Sequence, residues 1–271
     1  MRTVFAFIAL FFFLTGIYAQ TTLSGFVKDA DSNKPLAYVN IGLIGKNIGT
    51  VSNNEGEFKL TIPENNLGDT VRVSMLGYKP ALYKASEFIR LFSGTAILLK
   101  PSSYLLPDVL VSNRPLKEKV LGNPTESQSS TVSFTSDDLG NEIGILIKIK
   151  KLPSYLKSFS ASIASTNNIP VKVRLNFYSV KNGMPDQLLH DRNIFVRIPA
   201  KNEKLTIDLS SYHIVAEDDF FVSLEWIESS KKQVMFSGSL FGSPLIARET
   251  SQGDWEKVSF FGVGFTVKVA Y

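Results

Sequence analysis

His190 and His213 are the two imidazoles this chain can offer to catalysis or to a metal, and neither sits in a useful spacing. A zinc peptidase places two ligands on one metal with His-x-x-Glu. Here His190 is followed by Asp191-Arg192-Asn193 and His213 by Ile214-Val215-Ala216, so no two-ligand zinc site is expected. Ser239, in Ser237-Gly238-Ser239-Leu240-Phe241-Gly242, lacks the Gly-x-Ser-x-Gly spacing that holds a nucleophile on a strained strand-to-helix turn. A Ser-His-Asp triad assembled from distant residues is the one nucleophilic arrangement that spacing leaves open. Gly262-Val263-Gly264 precedes a strand, whereas a dinucleotide fingerprint needs a helix N-terminus to receive the pyrophosphate.

The carboxylates divide in the same way. Asp29-x-Asp31-x-Asn33 copies the opening of a calcium loop, but Lys34 stands at the hinge glycine and Asn40 at the closing glutamate, which favours a turn. Asp137-Asp138 and Glu217-Asp218-Asp219 suit either calcium at the rim of a sandwich or solvated turns before strands. No catalytic residue, metal site or cofactor is expected. Among the aromatics, Trp226 continues the apolar face of Phe220, Val222 and Leu224 and belongs in a core. Trp255, between Gly253-Asp254 and Glu256-Lys257, lies in a wetter context where an indole can stack on a sugar or a partner, or pack at a rim. Trp255, Tyr212 and Tyr178 are the candidate ligand-binding residues.

The elements that must carry these residues are strands. Val39, Ile41 and Leu43 alternate with polar or small residues, as do Phe58, Leu60 and Ile62, and a period of two means one buried and one wet face. Ser52-Asn53-Asn54-Glu55-Gly56 and Gly68-Asp69 supply turn residues between them. From Thr131 onward the same rhythm continues in Ile143, Ile145, Ile147 and Ile149, then in Val171, Val173, Leu175 and Phe177, and in Phe220 to Trp226. The spacing of turn clusters such as Lys181-Asn182-Gly183 suggests a sandwich or jelly roll. The chain is therefore expected to be all-β.

The stretch from Ser24 to Pro80 resembles a carboxypeptidase regulatory-like domain, the transthyretin-like (Ig-like) β-sandwich found before the plug of TonB-dependent nutrient receptors. Gly25, Pro35, Leu36, Gly49, Thr50, Gly56, Phe58 and the run Leu76-Gly77-Tyr78-Lys79 carry the likeness. Despite the family's name, the resemblance implies an extracytoplasmic appendage and not a peptidase. Tyr104 to Val111 is similar to the Leu-x-Glu-Val-Val-Val strand that follows the module in those receptors, with Asp108 at the glutamate. The stretch Val171 to Trp226 resembles the jelly-roll partner fused behind such modules in bacterial envelope proteins.

Compartment is indicated by the first residues. Met1-Arg2 is a positive n-region, Val4 to Leu14 an apolar h-region, and Ala19 a small residue at the expected cut, which is the pattern of a secretory signal peptide. The apolar run falls short of the roughly 20 residues that span a bilayer, and no transmembrane helix is expected in the mature chain. With no cysteine, disulfides and a thiol-linked lipid are excluded. A formal charge of +4, without a basic stripe interleaved with aromatics, argues against nucleic acid. The expected organisation is a signal peptide over 1–19, a regulatory-like sandwich over 20–112, a polar Pro/Gly linker over 113–130 that leaves the two parts to unfold separately, and a jelly-roll-like sandwich over 131–271. The expected function is non-enzymatic: an exported protein, in the periplasm, at the outer membrane or on the cell surface, that docks on or recognises a glycan or envelope protein through its loops. The alternating run Phe261, Val263, Phe265, Val267, Val269 and Tyr271 supports an alternative, a C-terminal outer-membrane β-barrel.

Overall fold

The computed structural model describes residues 20–102, 116–166, 170–199, 203–228, 233–258 and 260–271. The expected signal peptide and the receptor-like strand Tyr104 to Val111 lie outside the described residues. The first half contains β1 (Gln20–Asp29), β2 (Asn40–Leu43), β3 (Gly49–Val51), β4 (Glu57–Pro63), β5 (Thr70–Ser74), β6 (Ala81–Lys84), α1 (Ala85–Phe92) and β7 (Ala96–Leu99). They build a three-stranded sheet, β4-β1-β7, facing a four-stranded sheet, β3-β2-β5-β6. The alternation in the sequence becomes the core: Leu23 and Val27 of β1, Phe58, Leu60 and Ile62 of β4, and Val71 and Val73 of β5 are buried together. Each such side chain contributes about 1.5–3 kcal/mol by leaving water.

Two motif positions have a direct physical explanation. Gly56 sits at φ 77° in the turn that carries the chain from β3 in one sheet to β4 in the other, and a Cβ there would lie 2.6 Å from the Val27 carbonyl, so neither conformation nor space admits a side chain. The Asp29 carboxylate accepts hydrogen bonds from the Ser32 and Asp31 backbone N–H groups, the Ser32 hydroxyl and, at 2.8 Å, the Tyr78 phenol. The Asp-x-Asp-x-Asn segment is thus a capped turn. Those donors, the Ser32 N–H foremost and the Tyr78 hydroxyl next, hold the Asp29 carboxyl down at about 2. Burial, then the neighbouring carboxylate, pushes Tyr78 up to about 12.

The second half contains β8 (Glu118–Gly122), β9 (Thr131–Ser133), β10 (Glu142–Ile147), β11 (Ser154–Thr166), β12 (Val171–Lys181), β13 (Met184–Leu188), β14 (Ile194–Ile198), β15 (Lys204–Asp208), β16 (Val215–Ala216), β17 (Phe220–Trp226), β18 (Val234–Leu240), β19 (Leu245–Arg248), β20 (Glu256–Val258), β21 (Phe261–Val263) and β22 (Phe265–Ala270). One sheet runs β13-β12-β17-β10-β19-β20 with β14 on β12. The other runs β21-β18-β11-β22-β8 with β15 and β16 on β11 and β9 on β18. Between them lies one large core that includes Ile145, Phe159, Phe177, Leu224, Trp226 and Phe265.

Two expectations change. The polar stretch expected as a linker contains β8, whose Val120 pairs with Lys268 of β22, so the second sandwich begins before Thr131. Only Leu121 of this strand reaches the core, and its charged residues stay wet, so composition alone hides it. The run from Phe261 to Tyr271 is split at Gly264 into two strands with different partners. Val263, Phe265, Val267 and Val269 all point into the filled core. A barrel needs that set facing lipid, so the barrel alternative is corrected to an interior strand of a sandwich.

Candidate functional site

Because β12 alternates, packing Val171, Val173, Leu175 and Phe177 inward turns Lys172, Arg174, Asn176 and Tyr178 onto the opposite face of the sheet. That face is not wet. Strand pairing sets Arg174, Glu225, Glu142 and Arg248 side by side across β12, β17, β10 and β19. Arg174 grips Glu225 with two parallel bonds, Nε to Oε2 at 2.8 Å and Nη2 to Oε1 at 2.9 Å. Arg248 Nη2 meets Glu142 Oε2 at 2.6 Å and Glu225 Oε1 at 4.0 Å. Asn176 donates to both carboxylates, at 2.9 and 3.0 Å, and the Ser223 hydroxyl donates to Glu142. Burial pushes the Glu225 carboxyl up, but Arg174 and Arg248 together outweigh it and leave it below its ordinary range. Burial would lower Arg248, yet Glu142 beside it raises the guanidinium above its usual value. Arg174 likewise stays charged against Glu225.

Two of the three sequence candidates belong to this assembly. Tyr178 is buried and donates its hydroxyl to Glu142 Oε1 at 3.1 Å; burial, then Glu142, pushes its phenol well above the ordinary value. Trp255 is half-buried, edge-on to Phe221 at 5.2 Å and to Tyr178 at 5.9 Å. The Arg248 guanidinium lies 4.7 Å from its ring centre. Trp255 therefore roofs the ionic row. Tyr212 lies apart, on the 3-10 turn Ser210–Tyr212, half-buried against the main core with the Arg192 guanidinium 4.8 Å from its ring centre.

The ionic row also reaches the first sandwich. Arg174 Nη1 donates to the Tyr38 carbonyl at 2.9 Å and Nη2 to Asn40 Oδ1 at 2.5 Å. Lys172 donates to the Tyr38 hydroxyl, which donates to Glu228. Tyr38, Val51 and Ile227 form a small apolar cluster beside them. A second contact comes from the turn between β19 and β20. The Ser251 carbonyl sits over Gly42 and Gly49, where a Cβ would lie 2.3 and 2.1 Å away. The Gly45 N–H donates to the Gln252 carbonyl at 3.0 Å, and Asn47 Nδ2 donates to Glu249 Oε2 at 2.7 Å.

Beside this turn the two sandwiches enclose a cleft of about 500 Å³. Asn47, Lys59 and Thr61 line it from the first half and Asp137, Asp138 and Glu249 from the second. Its walls supply carboxylates, the amides of Gln20 and Asn47, hydroxyls and one ammonium, a set suited to hydrogen-bonding a polar ligand. No three His, Asp or Glu side chains among the described residues are placed to hold a metal ion together. Of the acidic turns, Asp219 Oδ1 caps the Ile149 N–H at 2.9 Å and Asp218 Oδ1 caps the Asp219 N–H. His190 lies away from the cleft, buried edge-on to Phe177, its Nδ1 paired with the Arg192 carbonyl at 2.9 Å. Burial pulls its imidazole down to about 4, so it is neutral at ordinary pH.

The CarboxypepD_reg-like domain family matches residues 23–111, and that segment is a carboxypeptidase regulatory-like domain. No curated protein matches the sequence. Among solved structures, the chain is similar to the cysteine protease and lectin-like domains of Cwp84, a surface layer associated protein of Clostridium difficile. That likeness has 10% identity and a TM-score of 0.40 over 93% of this chain and 59% of that one. The clostridial cysteine protease Cwp84 after propeptide cleavage gives 10% identity and 0.40, over 93% and 66%. A DUF3823 family protein from Parabacteroides merdae gives 9% identity and 0.21, over 91% and 98%. The chain thus spans less than two thirds of the length of either clostridial structure.

Proposed function

We propose that this chain, which carries a carboxypeptidase regulatory-like domain over residues 23–111, is a non-catalytic envelope protein that recognises a glycan in the cleft between its two sandwiches. The regulatory-like module acts as a docking wall and not as a peptidase. The observation that carries this reading is the lining of the cleft: Asp137, Asp138, Lys59 and Thr61, with the hydrogen-bonded pair Asn47–Glu249, surround about 500 Å³. Carboxylates and amides arranged round such a volume accept and donate to successive sugar hydroxyls, with no bond made or broken. The n-region and apolar run before Ala19 support export.

The test is binding of the purified mature chain to an array of bacterial and host glycans, followed by titration of the hits. Asp138→Asn and Glu249→Gln are each expected to weaken a genuine ligand by about 1.5–3 kcal/mol, the worth of a hydrogen bond to a charged group. An unchanged affinity in both variants removes the ligand from the cleft. An array without hits, together with capture of an envelope protein that these substitutions release, replaces the glycan with a protein partner.

A further inference from the structure

The end of the second sandwich carries four exposed apolar side chains at the end of one antiparallel strand pair. Leu240 and Phe261 are cross-strand partners of β18 and β21, and Phe241 and Phe260 extend beyond them, bonded from the Phe241 N–H to the Phe260 carbonyl. Phe241 is 84% exposed, Phe260 70%, Leu240 56% and Phe261 48%. Both tip phenylalanines sit in the left-handed region, at φ 60° and 70°. Bulky side chains are strained there, so the surrounding structure must hold them. It does so through Asn123, itself buried, which accepts from the Ser243 N–H at 2.8 Å and donates to the Ser243 and Val263 carbonyls at 2.9 and 3.1 Å. A Cβ on Gly242 would lie 2.4 Å from Asn123 Oδ1 and one on Gly262 2.2 Å from the Ser243 carbonyl, so the tip has one shape.

Charge says what meets this tip. In a chain that is 20% charged, the three segments it knits together, residues 120–125, 233–247 and 258–267, contain no charged residue. The charges that bound these segments in the sequence are Lys119, Lys232, Arg248, Lys257 and Lys268 against one carboxylate, Glu126; Lys119 and Lys257 are exposed, each beside an exposed glutamate, Glu118 and Glu256. A protein–protein interface ordinarily surrounds its apolar core with a polar rim. An uncharged aromatic tip with lysines set back from it fits the acyl-chain boundary of a bilayer with anionic headgroups. We propose that this tip of the β18–β21 pair docks the protein on a lipid surface, Leu240, Phe241, Phe260 and Phe261 entering the interface while Lys119 and Lys257 meet anionic headgroups. The glycan cleft plays no part in this contact.

Co-sedimentation of the mature chain with vesicles of phosphatidylethanolamine, with and without phosphatidylglycerol, tests it. The wild type is expected to sediment with the vesicles, more strongly when phosphatidylglycerol is present. Phe241→Ser with Phe260→Ser should weaken binding at least about tenfold, since losing one inserted phenylalanine already removes about 1.5–3 kcal/mol. Its thermal midpoint should stay unchanged, because both side chains are in water. Leu82→Ser, at an exposed leucine of the first sandwich (60%), should bind as wild type, and so should Asp138→Asn. Lys119→Gln with Lys257→Gln should abolish the preference for phosphatidylglycerol. No vesicle binding by the wild type, or equal binding by the double serine variant, overturns the proposal. So does a concentration-dependent dimer that the serine variant dissolves, which would make a second copy the occupant.

Discussion

Trp255 and Trp226 separate what residue type tells from what surroundings decide. The apolar period placed Trp226 in a core, and it is 2% exposed. Its replacement by alanine should cost about 3–5 kcal/mol in a denaturant titration. The polar neighbours of Trp255 left two readings open, a platform for a sugar or partner and a packed rim, and its ring covers Arg248 and packs on Phe221. Trp255→Ala should therefore destabilise by about 2 kcal/mol, from lost apolar contact and a lost cation–π contact. A stability equal to wild type would favour the platform over the packed rim. The ionic row beneath it was illegible because Arg174, Asn176 and Tyr178, alternating with apolar residues, look like any wet face. Only strand register shows Arg174 opposite Glu225 and Glu142 opposite Arg248. His190 gives a prediction in pH. Its imidazole sits at about 4 in the fold against an ordinary 6.5. Between those values the unfolded chain holds the proton and the native chain does not, so stability is full at neutral pH and falls as pH drops from about 6.5 to 4. The loss is on the order of 3 kcal/mol, and His190→Gln should flatten that part of the stability–pH curve relative to wild type. Parallel curves would show that His190 does not cause it.

At the scale of elements, strands with one clean apolar face were legible and those whose partners supply the pattern were not. β4 and β12 announce themselves, whereas β8 is a strand because β22 offers it an edge. α1 could have been found: Ala85, Phe88, Ile89 and Phe92 fall at helical spacing, and Phe88 is fully buried. Gly42 and Gly49 carry the other lesson. Gly49 belongs to the regulatory-like motif and looks like turn chemistry, but here it faces Gly42 across β2 and β3 and makes room for the Ser251 carbonyl. Gly49→Val should leave the first sandwich folded and lift the β19–β20 turn off it. Small-angle scattering should then report a larger radius of gyration. An unchanged radius would mean that the Tyr38–Arg174 contact suffices to hold the two halves together.

For the whole molecule, the sequence shows two sandwiches but not how they are joined, since a polar segment between them says nothing of residues that meet across a distance of more than a hundred positions. Arg174 to Tyr38 and Asn47 to Glu249 are such meetings. The chain from residue 20 onward should consequently unfold in one transition, and Arg174→Ala should split it in two. Two transitions in the wild type would show the halves to be energetically independent. The ionic row has a further consequence, for how the fold responds to salt. Its two guanidinium and two carboxylate groups cancel within one rung, and both carboxylate side chains are wholly shielded. Dissolved ions screen charges that water reaches, over about 10 Å at 0.1 M salt, and leave buried pairs almost untouched. Exposed pairs such as Lys204–Glu126 and Lys268–Glu118 loosen in brine, while the join between the sandwiches keeps its strength. Thermal midpoints should differ little between dilute buffer and molar sodium chloride.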